Sequence, residues 1–442
     1  MKNYVLISNI IKKFNKTINV QGDKSISIRW ALMASQAVGK SRAYNLLKSE
    51  DVESALNALK KLGVKVKKYK KYCEIEGSGL NGFSFKDKTM VDAGNSGTLA
   101  RLVLGLLVKS KKSVIIKGDK SLSKRDFSRV IKPLNIFGAV IKSNQNKLPI
   151  TLNGTKYLRP IYFEEKRGSA QVKSCIMLAS LNAPGITKIK CINSRDHTER
   201  FFKYLNLPIK VKKISQRQKL IEIEGKNQYK SFNYNVPGDI SSAAFFIVLT
   251  ALSKNSKITI KNVNVNNTRT GMLDILKKMN VNIKFKNYKL INNEPVADIC
   301  VKSSKNLKAI KCHEDINSRA IDEFPLIFLV CAKAKGTSSF KKIGELRHKE
   351  SDRLKVCSIF LRKIGIKVHE KSDSLKIYGN PNLSLKKNYI INNFMKDHRI
   401  FMMSCVAALS LGGKWKINDK KSIKTSFPNF IFILKKLGAK II

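Results

Sequence analysis

One phrase returns six times along the 442-residue chain, and it limits the fold more than any other feature. Its first copy is Leu59-Lys60-Lys61-Leu62-Gly63-Val64-Lys65-Val66. This reads as the end of a helix, a glycine able to take the positive φ that a helix C-terminus favours, and an alternating stretch suited to a half-buried strand. The pattern returns at Leu134 to Ile141, Tyr204 to Val211, Leu276 to Ile283, Leu361 to Val368 and Leu434 to Ile441. Aligned on the apolar residue before the glycine position, the copies stand at 62, 137, 207, 279, 364 and 437, with intervals of 75, 70, 72, 85 and 73. A period near 70 exceeds the roughly 20–50 residues of common solenoid repeats. It fits a compact unit of two helices and several strands. The chain is too long for one hydrophobic core, so six units predict an α/β protein of two domains with three repeats each.

A second phrase recurs as Gly22-Asp23-Lys24-Ser25-Ile26-Ser27, Gly118-Asp119-Lys120-Ser121-Leu122-Ser123 and Pro237-Gly238-Asp239-Ile240-Ser241-Ser242. Each copy follows a strand-like stretch, and Asp or Ser ahead of an apolar run is N-cap chemistry. A helix N-terminus offers free N–H groups and positive potential, so it can hold a phosphate or carboxylate. Lys24 and Arg29 add charge to the first copy. The chain is expected to cross between domains at Val20–Gln21 and Val236–Pro237. That gives a middle lobe, 21–237, and a discontinuous lobe, 1–20 plus 238–442, with three repeats in each.

Several function classes are disfavoured. No segment holds about 18 apolar residues in a row, so no membrane span is expected. The apolar start, Tyr4 to Ile11, is interrupted by Ser8 and Asn9 and is not followed by a small-residue cleavage site, so a cytoplasmic protein is expected. The eight cysteines contain no CxxC pair and sit mostly among apolar neighbours, the pattern of reduced, buried thiols. The five histidines have no metal-ligand spacing, so no metal is expected. Lys plus Arg is 86 against 31 for Asp plus Glu, a net charge of +55. The lysines are spread over the whole chain and no aromatic runs are interleaved with arginine. Compositional bias and attraction of small anions account for them better than specific nucleic-acid binding.

Seven motifs in order then carry a resemblance. They are Gly22-Asp23-Lys24-Ser25-Ile26-Ser27-Ile28-Arg29, Asn95-Ser96-Gly97-Thr98-Leu99-Ala100-Arg101, Ser169-Ala170-Gln171-Val172-Lys173-Ser174, Ser194-Arg195-Asp196-His197-Thr198-Glu199, Asp322-Glu323-Phe324-Pro325, Leu346 through Arg353, and Asp397-His398-Arg399. Together they resemble the 5-enolpyruvylshikimate-3-phosphate (EPSP) synthase family over essentially the whole chain. The resemblance implies a two-domain enolpyruvyl transferase fold. Each lobe would hold three βαβαββ units about a pseudo-threefold axis, an inside-out α/β barrel, with the active site in the cleft between lobes. The reaction implied is transfer of the carboxyvinyl group of phosphoenolpyruvate to the 5-hydroxyl of shikimate 3-phosphate, with release of phosphate.

Both implied substrates are polyanions, so a site that holds them together needs dense cations, and the planar fork of Arg suits phosphate and carboxylate. By resemblance, shikimate 3-phosphate would meet Lys24, Ser25, Arg29, Ser169, Ala170, Gln171, Arg195, Asp322 and Lys349. Phosphoenolpyruvate would meet Lys24, Asn95, Gly97, Arg125, Gln171, Arg353, Arg399 and Lys424. Asp322 would deprotonate the 5-hydroxyl, Glu350 would exchange the proton at the methylene carbon, and Lys24 would stabilise developing charge. No cofactor is required, because the leaving group is already in the substrate. A monomer is expected, without membrane or specific nucleic-acid partners.

Three positions depart from the family pattern. Asp126 follows Arg125 where Pro is usual, Trp30 is large enough to crowd the first helix, and Lys424 is one position from the usual lysine. Two other readings remain. One is the sister enzyme that acts on UDP-N-acetylglucosamine, which carries a reactive Cys where Lys117 to Arg129 has none. The other is a basic nucleic-acid-binding protein.

Overall fold

A computed structural model describes residues 2–392 and 397–442. All six copies of the repeated phrase close a helix in the same way. Gly63, Gly138, Gly365 and Gly438 take positive φ, and Asn206 and Asn280 do so in the remaining two copies. The N–H of the next residue reaches back five positions: Val64 to Leu59 O, Ala139 to Leu134 O, Leu207 to Phe202 O, Val281 to Leu276 O, Ile366 to Leu361 O and Ala439 to Leu434 O, all at 2.9–3.2 Å. This is the Schellman closure, which gives partners to carbonyls at the helix end. The third copy therefore turns at Asn206, so the apolar residue before its turn is Leu205, two positions earlier than the sequence alignment put it. Asn tolerates the left-handed region, so it fills the glycine slot.

The chain forms two compact units. One is Gly22–Val236 with Ile291–Glu294; the other is Met1–Gln21, Pro237–Leu290 and Pro295–Ile442. The short segment Ile291–Glu294 groups with 22–236, where a division at 21 and 237 leaves it in the other lobe. The reason is local. Glu294 Oε1 lies 2.7 Å from His197 Nδ1 with both side chains fully buried, and Arg200 donates to Asn293 O at 2.8 Å. Each unit has its own hydrophobic core.

Among the described residues each unit holds three small sheets, and the pairing repeats. In the 22–236 unit, Val38–Tyr44 runs parallel to Asn233–Asn235 and antiparallel to Tyr72–Ser78, which pairs with Lys65–Lys68. Val114–Lys117 stands likewise between Thr89–Asp92 and Lys147–Asn153, and Ile186–Ile192 between Tyr162–Glu165 and Gln218–Glu224. In the other unit, Lys257–Asn264 is parallel to Asn15–Asn19 and antiparallel to Glu294–Lys302. Gly336–Phe340 pairs antiparallel with Leu375–Gly379. Gly412–Asn418 is parallel to Leu385–Ile391 and antiparallel to Tyr4–Ile7. Leu6 also exchanges backbone hydrogen bonds with Ile442, at 2.8 and 3.1 Å.

The helices fall into two kinds. Helices that end in the Schellman closure, such as Glu50–Lys61, have one buried face and one charged face. Helices of the second kind are enclosed on nearly every side: Lys24–Gln36 from Ile26 onward, and Ile240–Leu252, Phe324–Ala332 and His398–Leu411 throughout. Trp30 does not crowd the first of them. It is fully buried within a continuous helix, although its indole N–H has no hydrogen-bond partner among the described residues. No helix among the described residues is long and apolar enough to cross a membrane.

Candidate active site

The enclosed helices carry the candidate residues at their N-termini, because that is where a Ser or Asp cap turns the chain inward. In the 22–236 unit, Asp23 accepts from Ile26 N at 2.9 Å, Ser96 from Leu99 N at 3.3 Å and Ser169 from Val172 N at 3.4 Å. These caps start the helices Lys24–Gln36, Gly97–Leu107 and Ala170–Ser180. Lys24, Ser25, Gly97, Ala170 and Gln171 thus all lie in first turns, where unpaired N–H groups favour anions.

Side chains join these three helix starts. Gln171 Nε2 donates to Thr98 Oγ1 at 3.1 Å, and Arg101 Nη1 donates to Gln171 Oε1 and to Gly97 O, both at 3.2 Å. Arg101 also lies over the Phe127 ring, 4.6 Å from its centroid. Arg29 is buried and donates to Thr198 Oγ1 at 2.9 Å, Ser174 Oγ at 3.0 Å and Ser25 O at 3.0 Å. Lys24 Nζ pairs with Asp51 at 2.8 Å. Asn95 donates to Asp119 at 2.7 Å and accepts from Arg125 at 3.5 Å.

Asp126 takes the place of the usual Pro with a different function. Its carboxylate accepts from Ser128 N at 2.9 Å and Ser128 Oγ at 2.5 Å, and its carbonyl accepts from Arg101 at 3.3 Å. Burial pushes its pKa upward, but the Ser128 hydrogen bonds with Arg129 and Arg101 outweigh that and hold it below the ordinary value.

Beneath the Ser169 and Arg195 segments lies a buried charge triad. Lys173 is wholly inaccessible and donates to Glu199 Oε1 at 2.6 Å and to Arg195 O at 3.0 Å, while Lys219 reaches the same Glu199 oxygen at 2.7 Å. Burial opposes ionisation of Glu199, yet the two lysines hold its pKa below the usual glutamate value.

In the other unit, Asp322 is surrounded by cations: Arg353 at 3.6 Å, Lys349 at 3.7 Å and Arg399 at 3.8 Å. Glu350 pairs with Arg353 at 2.5 Å. Arg353 is 1% exposed and also pairs with Asp397 at 3.0 Å. Burial disfavours its charge, but Asp397, Glu350 and Asp322 raise its pKa above the ordinary arginine value. Asp397 caps the helix His398–Leu411 through Arg399 N at 3.1 Å and accepts from Ser351 at 2.7 Å. Glu323 Oε1 accepts from Ser241 Oγ at 2.5 Å and from Arg399 at 3.5 Å, and Ser241 accepts from Arg269 at 2.9 Å.

Lys424 is not drawn into this cluster. It is exposed on the turn Lys420–Thr425 and has no ion pair among the described residues. Its neighbour Thr425 contacts His398 Nδ1 at 3.2 Å. Sequence reasoning missed the partners Asp51, Lys219 and Arg269, and left Thr98, Arg101, Lys173, Glu199, Ser241, Glu323 and Asp397 without roles. Asp397 and Glu323 were within reach, since each adjoins a residue already singled out. No group of three or more His, Cys, Asp or Glu among the described residues could hold a metal ion.

Comparison with known proteins follows the same path. The family model for EPSP synthase (3-phosphoshikimate 1-carboxyvinyltransferase) matches residues 8–434. The chain is 41% identical over 425 residues to a 3-phosphoshikimate 1-carboxyvinyltransferase of Ruthia magnifica subsp. Calyptogena magnifica, covering 96% of this chain and 95% of that one. It is 38% identical over 440 residues to the protein of that name from Zymomonas mobilis, covering 98% and 96%. A solved EPSP synthase from Acinetobacter baumannii superposes with a TM-score of 0.86 at 34% identity, covering 99% of both chains. The enolpyruvyl transferase NikO from Streptomyces tendae shares the fold, with a TM-score of 0.78 at 13% identity over 99% of this chain and 98% of that one.

Proposed function

This chain belongs to the EPSP synthase family and has 3-phosphoshikimate 1-carboxyvinyltransferase activity in the shikimate pathway, and from that premise we propose how its residues divide the work. The observation that carries the assignment is Asp322, held within 4 Å of Lys349, Arg353 and Arg399. Arg353 and Arg399 are also paired with Glu350, Asp397 and Glu323, so the cations are held in place before a substrate arrives. The carboxylate keeps a base among them.

On this reading Asp322 orients the 5-hydroxyl of shikimate 3-phosphate and takes its proton. Glu350 gives a proton to the methylene carbon of phosphoenolpyruvate, so that the alkoxide adds at the adjacent carbon. In the second stage Glu350 takes a proton back from that methyl group, the double bond re-forms and phosphate leaves. Lys24 stabilises charge on the substrates and donates to the departing phosphate. Shikimate 3-phosphate is held by Ser25, Arg29, Ser169, Ala170, Gln171, Arg195 and Lys349, and phosphoenolpyruvate by Asn95, Gly97, Arg125, Gln171, Arg353 and Arg399. Support comes from the position of Ser25, Gly97, Ala170 and Gln171 in capped first turns of enclosed helices. Both clusters serve one reaction. Lys424 is assigned to phosphoenolpyruvate only by sequence position.

We further propose that each sheet with its two helices is one copy of a βαβαββ unit, three per lobe about a pseudo-threefold axis in an inside-out α/β barrel. The lobes are 21–237 and 1–20 plus 238–442. The repeated parallel-then-antiparallel pairing supports this. Every role is filled from one chain, so a monomer suffices, which sedimentation checks. The eight free cysteines fit a reducing, cytoplasmic setting.

The test is phosphate release from phosphoenolpyruvate with and without shikimate 3-phosphate. Release should require both. Lys24→Met, Asp322→Ala and Glu350→Gln should each lower kcat at least about a hundredfold, the scale of losing a general acid or base. Unchanged turnover in Asp322→Ala would remove it from the chemistry.

A further inference from the structure

We propose that Lys173 is a positioning residue for shikimate 3-phosphate, tethering the Arg195 segment to the helix that begins at Ser169. The inference rests on the reading above, which gives Ser169, Gln171 and Arg195 to that substrate.

The chain gives Lys173 no route to a ligand. Its side chain is fully inaccessible, and its ammonium spends its hydrogen bonds on Glu199 Oε1 at 2.6 Å and Arg195 O at 3.0 Å. A buried ammonium in the first turn of the helix Ala170–Ser180 runs against the helix dipole and against burial. Burial lowers its pKa, and Glu199 opposes that. An apolar residue would fill the same space without either cost, so the charge must act through what it touches.

What it touches is the main chain of Arg195, just ahead of the helix His197–Tyr204. The same two segments are joined a second time by Ser174 Oγ and Thr198 Oγ1 at 2.7 Å, both of which take hydrogen bonds from Arg29. Three segments assigned to shikimate 3-phosphate, those of Arg29, Ser169–Gln171 and Arg195, are therefore locked at two adjacent points. The Lys173 tether holds the Arg195 carbonyl directly. Lys219 provides the control, because it balances Glu199 from strand Gln218–Glu224 at 2.7 Å and, among the described residues, its side chain holds no backbone of the Arg195 segment.

The experiment compares Lys173→Met, Lys173→Arg and Lys219→Met. Lys173→Met leaves Glu199 paired with Lys219, so the fold should survive. Its KM for shikimate 3-phosphate should rise about ten- to a hundredfold, the scale of a misplaced binding group, with the KM for phosphoenolpyruvate and kcat within about threefold. Lys173→Arg should recover part of the loss, and Lys219→Met should leave both KM values unchanged. If Lys173→Met does not fold, the double variant Lys173→Met with Glu199→Gln also lacks the tether and should show the same split.

Amide hydrogen exchange of Asn193–Asp196 in the ligand-free protein reads the tether without substrate. It should quicken in Lys173→Met and stay unchanged in Lys219→Met. Equal rises in both KM values, an equal effect of Lys219→Met, or unaltered exchange in Lys173→Met would overturn the proposal. Absence of substrate-dependent phosphate release by the unmutated protein would instead overturn the reading beneath it, while the exchange measurement would still decide the tether.

Discussion

A methyl group on Gly97 would stand 2.8 Å from Nη1 of Arg101 and 3.1 Å from Nη1 of Arg125. Both distances are tighter than ordinary contacts, so a guanidinium must move. Gly97→Ala should therefore raise the KM for phosphoenolpyruvate about tenfold or more while thermal unfolding shifts by only a few degrees. Titration of two enclosed thiols gives a second expectation. Burial pushes Cys175 and Cys331 up to about 12. Burial raises Cys312 as well, to about 11, so access decides the order, and thiol reagents should label the half-buried Cys300 and Cys312 before the enclosed pair in the native protein. At this scale the sequence was most legible where acting residues are neighbours along the chain, as in Lys349, Glu350 and Arg353. It was least legible where a partner comes from elsewhere. Asp51 meets Lys24 from another helix, and Lys219 meets Glu199 from a strand. Nothing in the local pattern marks either pairing.

The helix closures show what pattern reading catches at the level of elements, and where it slips. Four of the six closing positions are glycine and were read directly. Asn206 and Asn280 fill the other two, and Asn206 was passed over in favour of the Leu207-Pro208 step. Two of the enclosed helices, Lys24–Gln36 and Ile240–Leu252, were legible from their Asp caps rather than from any apolar stripe, because a helix packed on all sides has none, whereas Phe324–Ala332 has no side-chain cap to read. The closures also separate two costs of replacing glycine. A Cβ on Gly365, at φ 84°, meets nothing within 4 Å, so Gly365→Ala should lose only the backbone preference, about 1–2 kcal/mol. A Cβ on Gly63, at φ 89°, would stand 2.1 Å from Ser84 O, so Gly63→Ala should lose that plus about 1–3 kcal/mol of overpacking. Urea unfolding of the two variants measures the difference, and equal losses would contradict this account.

For the molecule as a whole, a net charge of +55 is the dominant long-range term. Like charges destabilise the compact state and draw in anionic ligands, and salt screens both effects over a Debye length of about 10 Å at 0.1 M. Raising sodium chloride from about 20 mM to about 300 mM should raise the unfolding temperature and also raise both substrate KM values. Opposite signs for these two responses are not expected. The pairing of Tyr4–Ile7 with Gly412–Asn418, and of Leu6 with Ile442, has a further consequence. A ribosome releases that first strand some 400 residues before its partners exist, a wait of about 20–80 s at usual elongation rates. Meanwhile residues 22–236 emerge with nearly everything their own core requires. The opening strand must spend that time as an unpaired edge, until Gly412–Asn418 and Ile442 are made.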